Sequence, residues 1–265
     1  MKKILLTLVA TIATFYFLAC KKIIDQINKN PTQTFQFCDI KKFKIWYRDS
    51  YYEFTVYYNK AGQPKDVVGK YPDIPGNFAE NDQHFRYDKQ SRLTDWLVEP
   101  AGQQHAWLWH TYHYLSPTKV VDTLYNCWYY DSYITDSHPP YNSALTNTRY
   151  LNFDNSGRIS TVTDPVSNYT QFFLYDANGN SNMYSAYDSA INIRRTNKIW
   201  MFVSLDYSLH NPTALPWGTY HFEYNPYLLP ASWTFSDPYG GPFMSSFAAN
   251  KMEIEYDCNG VPKYY

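Results

Sequence analysis

The commonest pattern in this chain shows in residues 252–257. Met252, Ile254 and Tyr256 fall on one side of an extended backbone, and Glu253, Glu255 and Asp257 on the other. Strict alternation predicts a half-buried β-strand. Alternating runs that end in an aromatic residue, followed by a turn and a second run, return at 54–62, 85–93, 151–159 and 173–179, with weaker copies at 112–121, 222–225 and 254–260. Each reads as a β-hairpin. The Asp or Asn after the aromatic bonds N–H groups ahead of it, and a glycine supplies the positive φ that closes a type I turn with a G1 bulge. Gly62, Gly157, Gly179 and Gly260 hold that place. Residues 172–175, Phe-Phe-Leu-Tyr, are apolar on both faces and predict a covered part of the sheet.

Helical periodicity is nearly absent after residue 37, and 16 prolines with 10 glycines punctuate the chain. The expectation is an all-β fold: a single antiparallel β-meander of repeated hairpins, twisted and curled, with no helical core. Loop-rich insertions at 71–81, 131–147 and 206–217 interrupt it and are the expected places for function.

The first residues, Met1-Lys2-Lys3, are cationic, and an apolar run of 16 residues follows from Ile4 to Ala19. As a helix it spans about 24 Å, short of the roughly 30 Å hydrocarbon core of a bilayer, so it reads as a secretory signal (1–19). Ala19 before Cys20 resembles the lipobox of bacterial lipoproteins, although Phe17 stands where Leu is commoner. The resemblance implies a chain lipidated at Cys20, with residues 20–37 as lipidated Cys and polar tether and 38–265 as the β-domain. Lys21, where an inner-membrane lipoprotein of the familiar kind carries Asp, implies the outer membrane. With no acidic cluster after Cys20, a periplasm-facing orientation is favoured over the cell surface.

Tyr87-Asp88 with Arg92-Leu93, Phe153-Asp154 with Gly157-Arg158-Ile159, and Tyr175-Asp176 with Gly179 resemble the YD (RHS-type) β-hairpin repeat. Together with the signal, Cys38 and the segment 200–211, the whole is similar to Bacteroidota-type lipoproteins of unknown function built from such hairpins.

Composition narrows the function. The 265 residues carry 23 Lys+Arg against 24 Asp+Glu, which argues against a nucleic-acid partner. Aromatic residues make up 20% of the chain, too much apolar surface for a disordered one. After lipidation Cys38, Cys127 and Cys258 remain, and an oxidising compartment permits one disulfide in any of three pairings.

Candidate chemistry is sparse. His105, His110 and His113 are the only histidine cluster, but on a strand His110 and His113 point to opposite faces, so no metal site is expected. Residues 176–182 imitate a calcium loop but place Gly179 fourth and Tyr187 twelfth, and a turn explains them better. No nucleophile elbow, phosphate loop or Rossmann fingerprint occurs, and no cofactor is expected.

The aromatic excess is the remaining lead. Tyr207, His210 and Trp217 lie in a proline-limited stretch, and with Trp107, Trp109 and Trp128 they are the candidate binding residues for a glycan or an envelope protein, unless they serve as core. The expected function is a non-catalytic binding or scaffold module held to the membrane through Cys20. The alternative is a carbohydrate-active hydrolase or glycan-binding protein, and a hydrolase would show two carboxylates about 5–9.5 Å apart across a cleft.

Overall fold

The computed structural model describes residues 38–47, 50–70, 81–100, 105–127, 135–139, 144–236, 241–243 and 247–258. Cys20, Trp128 and Gly260, with the signal and tether, lie outside them. The first half of the chain forms β1 (Asp39–Tyr47), β2 (Ser50–Tyr58), β3 (Pro64–Lys70), β4 (Asn81–Tyr87), β5 (Leu93–Pro100), β6 (Leu108–Ser116), β7 (Lys119–Asn126), β8 (Ala144–Phe153), β9 (Ile159–Asp164) and β10 (Tyr169–Phe172). After β11 (Ala186–Ile191) come a 3₁₀ turn (Ile193–Thr196) and one helix, α1 (Lys198–Ser204). The remainder is β12 (His210–Leu215), β13 (Gly218–Tyr224), β14 (Pro230–Phe235), a small hairpin of β15 (Gly241–Phe243) and β16 (Phe247–Ala249), and β17 (Lys251–Asp257).

Fifteen strands form one antiparallel sheet in the order β10-β9-β8-β7-β6-β5-β4-β3-β2-β1-β17-β14-β13-β12-β11. The chain therefore enters inside the sheet at β1 and meanders out to the β10 edge. It then crosses to the opposite edge at β11 and works back until β17 pairs with β1. Cys38 and Cys258 form a disulfide across this seam, which selects one of the three pairings and leaves Cys127 as a buried thiol. Closing a loop with a sequence separation of 220 removes up to about 5 kcal/mol of chain entropy from the unfolded state.

Five hairpin turns share one geometry. Asn59 Oδ1 accepts from the N–H groups of Ala61 and Gln63, and the same i+2, i+4 pattern repeats at Asp88, Asp154, Asp176 and Asn225. At i+3 in each turn φ is positive: Gly62 at 72°, Gly157 at 75°, Gly179 at 76°, but also Ser91 at 60° and Leu228 at 59°. The Asp or Asn side chain thus holds the turn even where no glycine is present. The copy at 112–121 departs from the pattern, since β6 and β7 are joined tightly with Ser116 opposite Lys119.

Neighbouring hairpins are coupled through the same residues. Arg158 Nε donates to Asp154 Oδ2 at 2.9 Å, and its guanidinium lies 4.0 Å from the ring centre of Tyr175 in the next hairpin. The Tyr175 hydroxyl donates back to the Ile159 carbonyl at 3.0 Å. Tyr58, Tyr87 and Tyr256 donate likewise to the carbonyls of Ile40, Pro64 and Pro230. Such bonds contribute about 1 kcal/mol each.

Contrary to the expectation of no helical core, α1 fills the inside of the curled sheet. Trp200 and Met201 are fully buried, Trp200 meets Phe85 edge-on at 5.5 Å, and Phe202 meets Tyr112 at 4.9 Å. Lys-Ile-Trp-Met-Phe-Val-Ser is apolar nearly all round, which suits a helix enclosed on every side and erases the 3.6 period. Asn197 caps it by accepting from Ile199 N–H and ties it to the sheet by donating to the Gly62 carbonyl at 2.9 Å.

Two other expectations fail. Residues 206–217 are not an open loop: 206–209 run buried and 210–215 are strand β12. Residues 172–175 are not covered on both faces, because β10 is a sheet edge; Phe173 is buried while Phe172 and Leu174 are 61% and 66% exposed.

Val at Gly157 or Gly179 is expected to cost more than about 1 kcal/mol through left-handed strain. Leu228→Gly should instead stabilise by roughly the same amount, because it removes that strain from an exposed residue. Urea midpoints at constant m-value check both signs.

Candidate functional site

The aromatic candidates do not converge. Tyr207 is buried against Phe153, ring centres 6.4 Å apart. His210 is half-buried, and its Nδ1 meets the Asn180 side-chain amide at 3.1 Å. Trp217 stands 58% exposed in the turn between β12 and β13. Trp109 is fully buried on the outer face in a satellite core with Leu97, Ala106 and Cys127, donates to Asp95 at 2.8 Å and carries Arg86 over its ring. Trp107 is half-buried beside it. Tyr207 and Trp109 are therefore packing residues, as their strand positions require, and Trp217 alone of these is well exposed. His110 is buried against Asp122 while His113 is exposed, as the strand period demands. Among the described residues no group of three His, Cys, Asp or Glu side chains could hold a metal ion.

Among the described residues, polar clusters also form inside the curl and on the outer face. Inside the curl, Arg194 pairs with the fully buried Asp206 at 2.9 Å, and Arg195 donates to the carbonyls of Tyr207 and Ser208. Burial lowers the Arg195 pKa to about 10. These groups satisfy irregular main chain buried beneath the sheet. On the outer face, His84 Nδ1 meets Asp66 at 2.8 Å and Nε2 meets Glu99 at 3.1 Å. Burial alone would lower its pKa, but hydrogen bonds and charge from the two carboxylates outweigh that and raise it to about 9. No sequence spacing signals this triplet, since register alone brings residues 66, 84 and 99 together.

An open trough of about 850 Å³ lies on the outer face where β17 closes the sheet between β1 and β14. Cross-strand register lays one row of side chains across five strands: Glu53 on β2, Lys44 on β1, Glu253 on β17, Ser232 on β14 and Glu223 on β13. A neighbouring row sets Lys42 opposite Glu255. Lys42 pairs with Glu53 at 3.0 Å, Lys251 with Glu253 at 3.3 Å and Lys41 with Glu255 at 2.7 Å, while Ser232 donates to Glu223 at 2.8 Å. Exposed pairs of this kind add about 0–1 kcal/mol of stability, so their alternation matters more as a pattern of donors and acceptors. Four of the six glutamates in the chain line this trough. The alternating strands place each of them on the solvent face. Only the return of β13, β14 and β17 to the centre of the sheet gathers them.

No protein-family model matches the chain, and no curated protein matches it. Solved structures similar to it include a porin-like protein from Bacteroides vulgatus, 9% identical over 82% of this chain and 98% of that one, with a TM-score of 0.39. A porin-like protein from Bacteroides uniformis is 10% identical over 82% and 98%, with a TM-score of 0.31. The TcdB2-TccC3-TEV structure is 13% identical over 69% of this chain, which spans 9% of its length, with a TM-score of 0.27.

The His84 triplet makes stability depend on alkaline pH. Its folded pKa of about 9 lies above the ordinary 6.5, so its stabilisation is complete below about pH 6.5 and is lost as pH rises through about 9, an upper bound of roughly 3 kcal/mol. His84→Gln is expected to flatten the fall in unfolding free energy between about pH 7 and pH 10, measured by urea denaturation.

Proposed function

We propose that this chain is a non-catalytic binding module of the cell envelope, a lipoprotein of the YD hairpin-repeat kind held in the outer membrane through Cys20, with the trough as its binding face. The observation that carries the reading is the row Glu53-Lys44-Glu253-Ser232-Glu223, in which carboxylate acceptors alternate with a lysine and a serine donor across the open trough, on strands rather than loops. Strand positions hold side chains at low entropic cost, which favours recognition of an extended polar ligand such as a glycan. A second reading, a carbohydrate-active hydrolase, draws on the gathering of four glutamates. It needs one protonated acid beside one free carboxylate, whereas each of these glutamates has a lysine or serine partner.

Titration of purified envelope glycans into the protein distinguishes the readings. Lys44→Glu should weaken binding about tenfold or more by placing a third carboxylate between Glu53 and Glu253, with a stability loss of only about 1 kcal/mol from the like-charge pairs on the exposed face. Binding indifferent to this change would move the site elsewhere. Release of reducing sugar that disappears in Glu53→Gln or Glu253→Gln would establish the hydrolase.

The anchor is tested separately. Cys20→Ser is expected to move the protein from the membrane to the soluble fraction on cell fractionation, and a variant retained as firmly as the parent would show that another element holds it.

A further inference from the structure

Among the described residues, β10 is a sheet edge with no strand on its outer side and without the usual protection. Edge strands are ordinarily guarded by charge, proline or bulges, yet residues 166–175 contain neither charge nor proline, and β10 pairs with β9 in unbroken register. The other edge is guarded: β11 carries Asp188, and its pairing with β12 slips twice. The six residues 169–174, Tyr-Thr-Gln-Phe-Phe-Leu, join high β-propensity with no charge, glycine or proline, the composition of a self-pairing segment. Tyr169, Phe172 and Leu174 are all more than 60% exposed.

The direction of the main chain defines what fits. Phe173 N–H donates to Ser160 on the β9 side, so by the alternation of antiparallel ladders the main-chain groups of Gln171 and Tyr169 also face β9. Those of Thr170 and Phe172 face away. The open stretch ends on one side at the turn through Asn168, whose φ is 52°, and on the other at Leu174, whose main chain pairs with Asn182. An incoming antiparallel strand must therefore be short.

We propose that the occupant is β10 of a second copy of this chain, added about a two-fold axis through Gln171. Thr170 then exchanges both main-chain bonds with Phe172 of the partner subunit, and Phe172 with the partner subunit's Thr170. Gln171 faces Gln171 of the partner subunit as a non-hydrogen-bonded pair. Two turn-limited strands of the same length satisfy each other, and neutrality removes the like-charge repulsion that symmetry imposes on a charged edge. The contact is isologous, so it closes as a dimer and consumes the edge instead of propagating.

The register gives a direct test. In a non-hydrogen-bonded antiparallel pair the Cα atoms lie about 4.5 Å apart, within the range a disulfide spans. Full-length Gln171→Cys under mild oxidation should form a covalent dimer on a non-reducing gel, at a yield about tenfold above that of Ser167→Cys in the adjacent exposed turn. Adding Thr170→Pro removes an outward N–H that β9 does not use and should return the yield to that of Ser167→Cys. Phe172→Lys, which leaves the main chain intact, should do the same and serves where Thr170→Pro fails to fold. Cross-linking of Gln171→Cys no greater than that of Ser167→Cys overturns the proposal, as does a yield insensitive to both Thr170→Pro and Phe172→Lys.

Discussion

A tyrosine hydroxyl reaching back to a carbonyl of the preceding hairpin sets the spacing on which the rest of the sheet depends. Tyr87 bonds the Pro64 carbonyl and Tyr175 that of Ile159, each acceptor being the first residue of the strand that leaves the earlier turn. The adjoining Asp closes its own turn through two N–H groups, and in two hairpins an arginine four residues on, bonded to that Asp, lies over a tyrosine ring of a later one. Turn, cross-strand register and hairpin-to-hairpin packing are thus one linked set of contacts. Where Phe153 replaces tyrosine the back-bond is absent, and its ring is used inside the curl against Phe202 and Tyr207.

Curling the sheet creates an interior that hairpins alone do not fill. The chain fills it during the crossing from the β10 edge to the β11 edge, by the 3₁₀ turn, α1 and residues 205–209. That crossing buries irregular main chain away from any ladder, and buried main-chain polar groups must be paired. Arg195 serves the carbonyls of Tyr207 and Ser208, Asp206 accepts from Ser208 N–H, and Asn211 from Ile193 N–H. Arg194 and Asp206 neutralise each other there, and removing one partner would leave the other charge uncompensated.

The outer face follows from the same topology. Because β17 inserts beside β1, the seam joins residues far apart in the chain, and the trough takes its lysines and glutamates from β1, β2, β13 and β17, with Ser232 from β14. The disulfide between Cys38 and Cys258 secures that seam, so the candidate binding face lies on strands joined by a covalent bond.

Local pattern was enough for the all-β class, the strands of the recurring hairpins and most of their turns, but not for β12, which it marked as a loop. The period of two and the Asp-to-Gly spacing act over fewer than ten residues, and positive φ at Gly62, Gly157 and Gly179 is a local requirement. Long-range pairing decided the rest. The choice of Cys258 as the partner of Cys38, the His84 triplet and the row of residues 53, 44, 253, 232 and 223 depend on register between strands far apart in the chain. Helix α1 was hidden because a segment buried all round has no polar face to mark its period. Tyr207 and Trp109 looked like binding aromatics for the complementary reason: an aromatic side chain suits a core and a platform equally, and only the surrounding fold determines which face is covered.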